Sequence, residues 1–221
     1  MKLALLLPGY LDSPDYLHMK VLEKGLQELG YIVEILDACN LWKTGDVKSY
    51  TITNYIQQIR ETIRSYKEDN PEEVILVGHS NGGFTSIVAA VRIPEVTKVV
   101  ALCPPPNKEG SEHKWVNGVR ISERDLPDDP SQSREFAVPY SHIEDALKYS
   151  AIEDVKKIHK PLMIFIALDD IVVLPEWTEG IVANANNPYV VRQEGMGHDF
   201  RKSKEQCEIV MKEVEKFLQE K

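Results

Sequence analysis

Short aliphatic runs recur at Leu3–Leu7, Ile32–Leu36, Val74–Val77, Val99–Leu102, Leu162–Ala167 and Tyr189–Arg192. Nearly all lack the polar-apolar alternation of a half-exposed strand, so they read as strands covered on both faces. Between them lie longer stretches of helical period. Ser13-Pro14 looks like an N-cap followed by proline at the first helical position, with the helix running to Leu29 and ending at Gly30. Further helices are expected within Thr53–Tyr66, from Asn81 to about Val91, over Glu176–Ala185 and over Ser203–Leu218, the last opened by a capping box from Ser203 to Gln206. Strands alternating with helices call for a parallel sheet joined by right-handed crossovers, which makes the fold class α/β.

Residues 104–150 break that rhythm. They are rich in proline and charge, yet Trp115–Arg120 reads as a hairpin around a two-residue Asn117-Gly118 turn. Phe136–Val138 is a candidate third strand, and Ser141-x-x-Glu144 a capping box that opens a helix. The segment is an insertion rather than a linker, and its apolar residues Trp115, Val119, Ile121, Phe136 and Tyr140 need a surface to pack on.

Composition bounds the rest. A chain of 221 residues with 43% hydrophobic content fits one domain, 1–221, with a substantial core. The 26 basic residues against 35 acidic ones give a formal charge of −9, without a basic patch, which argues against a nucleic-acid partner. Cys39, Cys103 and Cys207 show no ligand spacing, and a reduced, cytoplasmic setting is the natural expectation. The opening "MKLALLLPGY" is too short for a signal-peptide core, and no run reaches membrane-spanning length.

The chemistry concentrates at Gly78-His79-Ser80-Asn81-Gly82. A Gly-x-Ser-x-Gly pattern by itself is weak, arising by chance in roughly one chain of this size in fifteen. Here it directly follows a buried strand and directly precedes a helix, the context in which a serine is pushed out above the carboxyl end of a sheet. The next N–H, that of Asn81, then lies at a helix N-terminus, where negative charge is stabilised. A serine needs a base to take its proton. Of six histidines, His79 is expected to pack under the turn, while His18, His113, His142 and His159 read as surface residues. His198, in the loop "EGMGHDF" between the last strand and the last helix, is the candidate base. Asp169 and Asp170, at the end of the Leu162–Ala167 run, are the candidate acids that orient it.

The order Ser80, Asp169 or Asp170, His198, each after a successive strand, resembles the α/β-hydrolase superfamily, in particular its small serine hydrolases and carboxylesterases. The likeness runs from "LLLPGY" to the final helix, with residues 104–150 as the variable part. It implies a doubly wound sheet of about six mostly parallel strands, ordered 2-1-3-4-5-6, with a small cap before the acid-bearing strand. The "D-I-V-V-L-P" context favours Asp170 over Asp169 by the same resemblance. It also implies a second oxyanion donor in the loop after the first strand, where Pro8-Gly9 stands in place of the family's usual His-Gly. The candidates are the backbone N–H groups of Tyr10 and Leu11, beside that of Asn81. Trp115 and Phe136 are candidate pocket residues. The implied activity is cleavage of a small-molecule carboxylic ester through an acyl-enzyme on Ser80, with no metal or organic cofactor implied. Thioesterase and peptidase chemistry use the same constellation, and a non-catalytic binding protein on this fold is the alternative from another class. A dehalogenase is disfavoured by serine where that chemistry needs a carboxylate, and a dienelactone hydrolase by the absence of cysteine there.

Overall fold

The computed structural model of the protein describes residues 1–107 and 114–220. His113 lies outside the described residues. Up to the insertion the chain runs β1 (Lys2–Leu7), α1 (Leu17–Glu28), β2 (Tyr31–Ile35), α2 (Leu41–Thr44), α3 (Ile52–Ser65), β3 (Glu73–His79), α4 (Asn81–Arg92) and β4 (Lys98–Leu102). It continues with β5 (Val119–Asp125), β6 (Ser133–Pro139), α5 (Ser141–Ala146), α6 (Ala151–Val155), β7 (Leu162–Ala167), α7 (Pro175–Val182), β8 (Tyr189–Gln193) and α8 (Lys204–Gln219).

Six of these strands form one sheet in the order β2-β1-β3-β4-β7-β8, every neighbouring pair parallel. This is the 2-1-3-4-5-6 order expected from the sequence. Alternate side chains enter two separate cores, which is why the runs are aliphatic throughout. Leu3, Leu5, Leu7, Leu76 and Ile164 pack on one face with Ile59 of α3 and with Phe84 and Ile87 of α4. Ala4, Leu6, Val77, Val100 and Phe165 pack on the other with Met19 and Leu22 of α1 and with Val210 and Val214 of α8.

Three local expectations are corrected. Helix α1 starts at Leu17 rather than at Pro14, with Tyr16 in the N-cap position. Ser13 closes a local turn instead, its Oγ accepting from the N–H of Asp15 at 3.1 Å, because residues 9–16 are taken up by successive turns in which Asp12 N–H donates to Gly9 and Tyr16 N–H to Ser13. Ser141 lies inside α5, whose N-cap is Tyr140 and makes no side-chain capping bond. The Asn117-Gly118 turn does form, with φ of 52° and 78°, but it closes a single bridge between Val116 and Val119. Strand β5 pairs with β6 across the full register Val119↔Pro139 to Asp125↔Ser133. At α8 one half of the expected capping box forms, Ser203 Oγ accepting from Gln206 N–H at 3.3 Å, while the Gln206 side chain donates to the carbonyl of Gly195 and the Ser203 N–H to that of Phe200.

The β5–β6 ribbon is fastened to the rest of the protein through polar contacts. Tyr16 Oη donates to the carbonyl of Asp125 at 2.8 Å, Arg134 donates to the carbonyl of Trp42 at 2.6 Å, and Arg201 makes a two-pronged pair with Asp125 at 2.8 and 3.1 Å. Phe136 and Val138 enter the core beneath, whereas Val119 and Ile121 stay exposed.

The tightest approach in the fold is at Gly82, where an added Cβ would lie 2.0 Å from the carbonyl oxygen of Leu7. Gly180 is the opposite case, with nothing nearer than Ile152 Cδ1 at 3.9 Å. Gly82→Ala is therefore expected to lose more than about 3 kcal/mol or to fail to fold, since backbone cannot yield as a side-chain tip does. Gly180→Ala should leave stability unchanged or raise it by up to about 1 kcal/mol. Urea denaturation of the two variants checks this, and equal effects would contradict the packing described.

Candidate active site

Strand β3 hands over to α4 through Ser80, which adopts φ 52° and ψ −117°. A non-glycine residue held there stores strain of about 1–3 kcal/mol, a feature that clusters at functional sites. The turn is held by the Ser80 N–H, which donates to the carbonyl of Leu102 at 2.7 Å. It leaves Oγ at the carboxyl edge of the sheet.

His198 and Asp170 meet it there. His198 Nε2 lies 2.9 Å from Ser80 Oγ, and Nδ1 lies 2.6 Å from Asp170 Oδ2. A carboxylate only accepts, so Nδ1 carries the proton donated to Asp170, and Nε2 is free to accept from the serine hydroxyl. Asp170 is 3% exposed, and its second oxygen, Oδ1, accepts from the N–H groups of Val172 and Val173, both at 2.8 Å. Asp169, its neighbour, is exposed, and its backbone N–H donates to the carbonyl of Met196 at 3.0 Å. The two adjacent carboxylates thus have separate surroundings, and Asp170 is the one that reaches the imidazole.

The N–H of Asn81 opens α4, and the Tyr10 N–H lies in the loop after β1; among the described residues neither has an acceptor. Leu11 differs from the expectation. Its N–H donates to Tyr50 Oη at 2.8 Å, and its carbonyl accepts from Trp42 Nε1 at 3.0 Å. That donor is already engaged inside the protein, which leaves the Tyr10 N–H as the unengaged one of the two. Phe136 is a second correction: it is 2% exposed and packs edge-on against Trp42, away from the cleft. Trp115 does line the cleft, stacked beside His142.

The cleft encloses about 660 Å³ and is lined by Ser80 and His198 together with Tyr10, Trp115, Arg120 and Trp177. Two histidines read from the sequence as surface residues are buried, His18 at 1% and His142 at 2% exposure. His142 stacks on Tyr50, its Nδ1 2.8 Å from the Tyr50 carbonyl oxygen. His18 packs against His79, and His79 in turn against His198, with ring centroids 5.1 and 4.9 Å apart. The sequence reading missed these two and also Tyr50. Helix α1 carries an apolar stripe of Met19, Leu22 and Leu26, and His18 falls beside it, the one available signal.

Asp12, His18 and His79 each bring one potential ligand atom within 4.8 Å of the other two. The carboxylate already has a cation, Arg124 Nε, 3.3 Å from Oδ1. Burial opposes ionisation of Asp12, but His79, Arg124 and His18 outweigh it and hold the carboxyl well below the usual carboxylate range. Burial likewise keeps the imidazoles neutral, pushing His18 down to about 3 and lowering His79.

By sequence, no protein-family model and no curated protein matches the chain. Solved structures do match. Est1E from Butyrivibrio proteoclasticus, determined with ferulic acid bound, superposes with a TM-score of 0.76 at 19% identity over 99% of this chain and 88% of that one. The chain has the α/β-hydrolase fold. Alpha/beta hydrolase domain-containing protein 10 from mouse superposes with a TM-score of 0.72 at 18% identity, covering 98% of this chain and 89% of the other. An esterase domain from Rhodothermus marinus gives 0.70 at 18% identity over 96% and 84%. In this α/β-hydrolase fold, Ser80, Asp170 and His198 follow the third, fifth and sixth strands of the main sheet in chain order.

The buried imidazoles set a pH dependence. An unfolded histidine takes up its proton near pH 6.5, whereas folded His18 does so only near 3. Between those values the unfolded state binds more protons, so stability falls with falling pH, by about 1.4 kcal/mol per pH unit for each such group. Urea denaturation between pH 7 and 4.5 is expected to show this acid limb. His18→Leu should make it shallower by about one group's share, and an unchanged slope would show that His18 is protonated in the folded protein.

Proposed function

We propose that this protein is a serine hydrolase that cleaves carboxylic esters of small or medium size through an acyl-enzyme on Ser80. The observation that carries the reading is the continuous chain from Ser80 Oγ through His198 to Asp170, at 2.9 and 2.6 Å. Such a relay turns a weakly nucleophilic hydroxyl into one whose proton has a destination.

The proposed reaction uses these groups in turn. Ser80 Oγ attacks the ester carbonyl as its proton passes to His198 Nε2. Asp170, held by two backbone N–H groups, stabilises the imidazolium and fixes the ring's orientation. The tetrahedral oxyanion is held by the N–H groups of Asn81 and Tyr10, each such donor typically supplying about a hundredfold to a thousandfold in rate. His198 then protonates the leaving alkoxide. A water activated by the same nitrogen releases the acid and restores the serine.

A cleft of about 660 Å³ suits a small or medium substrate and is too small for a folded protein partner. The β5–β6 ribbon and Trp115 cap one side of it. The free thiols of Cys39, Cys103 and Cys207 fit a reducing, cytoplasmic setting. Among the described residues no helix is long and apolar enough to cross a membrane. Thioesterase and peptidase activities use the same machinery, and the substrate panel separates them: p-nitrophenyl and feruloyl esters, acyl-CoA thioesters and a peptide p-nitroanilide.

On p-nitrophenyl butyrate, Ser80→Ala and Asp170→Asn are each expected to lower kcat/KM by about 10⁴-fold or more, and Asp169→Asn by less than about threefold. A fluorophosphonate probe should label Ser80 in the folded protein. Full activity in Ser80→Ala would overturn the proposal, and equal losses from the two aspartate variants would overturn the assignment of Asp170.

A further inference from the structure

The cleft is rimmed by five cationic side chains, Lys114, Arg120, Arg124, Arg201 and Lys202. Three are matched within the protein. Arg124 donates to the carbonyl of Tyr10 at 2.6 and 3.0 Å and sits beside Asp12, Arg201 pairs with Asp125, and Lys202 pairs with Asp199.

Arg120 is different. Its guanidinium lies over the ring of Tyr10 at 5.2 Å and over that of Trp115 at 5.4 Å. Among the described residues no carboxylate, carbonyl or hydroxyl accepts from it. The carboxylate nearest along β5, Glu123, accepts from Ser133 Oγ on β6 at 3.2 Å. The rings therefore fix the faces of the guanidinium by cation–π contact while its N–H edge keeps its donors unspent. A long, rotamer-rich side chain has been ordered in advance, so little entropy remains to be lost when an anion arrives. One ring of that cradle belongs to Tyr10, the residue whose N–H faces the reacting carbonyl in the mechanism above.

The same cleft is also lined by the apolar side chains of Ile143, Val172, Val173 and Trp177. A ligand that satisfies both kinds of lining has a hydrocarbon or aryl body and one anionic end. We propose that Arg120 is an anion subsite and that the natural substrate is an ester carrying a free carboxylate, in either its acyl or its alcohol part. A singly charged, planar carboxylate matches one guanidinium edge. In a chain of net charge −9, an unmatched arginine at the catalytic cleft also opposes the overall repulsion of anions.

This rests on the ester-hydrolase reading, and the test separates the two. The mono-p-nitrophenyl ester of adipic acid is compared with p-nitrophenyl heptanoate, and 4-carboxyphenyl acetate with phenyl acetate. The wild type is expected to favour the anionic member of one pair by about tenfold to a hundredfold in kcat/KM, mainly through KM, as one charge-assisted contact supplies. In Arg120→Gln that ratio should fall to within about threefold of unity, with Arg120→Lys between. A wild-type ratio near unity in both pairs, or a ratio undiminished in Arg120→Gln, would overturn the proposal while hydrolysis of the neutral esters still upheld the parent reading. Calorimetric titration of monomethyl adipate into Ser80→Ala reads the subsite without turnover. Binding there and none in Ser80→Ala/Arg120→Gln is expected; binding to both alike, or to neither, would overturn it.

Discussion

The contact on which the rest of the structure depends is that of Gly82 with the carbonyl of Leu7, so close that a methyl group would sit 2.0 Å from the oxygen. It exists because β1 and β3 are adjacent and parallel, with Leu7 opposite Gly78 at their carboxyl ends. A Cβ on Gly78 would meet the carbonyl of Gly82 at 2.2 Å, so both glycines are needed for the chain to double back from strand to helix. The tight turn forces Ser80 into its positive φ and puts Asn81 at the first position of α4. It also sets the start of the loop after β1 directly against the elbow, the carbonyls of Leu7 and Pro8 both facing Gly82. Ser80, His198 and Asp170 meet at the switch point of the sheet, where open α/β sheets leave a crevice.

Most of the fold was legible because each buried strand is a local run and each helix carries a local period. The site was legible in chain order for the same reason: Ser80, Asp170 and His198 each follow a strand whose residues announce it. What escaped the sequence is long-range. The N–H of Leu11 is taken by Tyr50, 39 residues away, from a segment whose apolar residues Leu41, Trp42 and Tyr50 follow no regular period. Phe136 sits on the inward side of β6, which could not be chosen without the register of the ribbon. Ser13-Pro14 and Ser141 carry the letters of helix caps, but Ser13 closes a local turn ahead of α1 and Ser141 lies one residue inside α5. His18 and His142 were assigned to the surface on the general polarity of histidine, and packing placed both inside.

The electrostatics of the site divide by depth. Beneath the triad lie His18 and His79, whose ring nitrogens are buried and have no hydrogen-bond partner among the described residues. Neutral imidazoles there act as polar packing under His198, and removing Asp12 or Arg124 singly would leave the other charge buried or half-buried without its partner. At the rim, Arg124 and Arg201 fasten the β5–β6 ribbon to the first loop and to the segment before α8. These pairs connect the inserted ribbon to the loop after β1 and to the segment that carries His198, so that the mouth of the cleft and both loops are positioned by the same side chains.

The central claim is that the strained turn at Ser80 presents a nucleophile that becomes covalently acylated. Rapid acid quench of the protein with p-nitrophenyl acetate, followed by peptide mass analysis, tests it most directly. The account predicts an acetyl group on the peptide containing Ser80, formed within the first turnover. Turnover of the ester with no acyl group on Ser80, or with the acyl group on another residue, would contradict it.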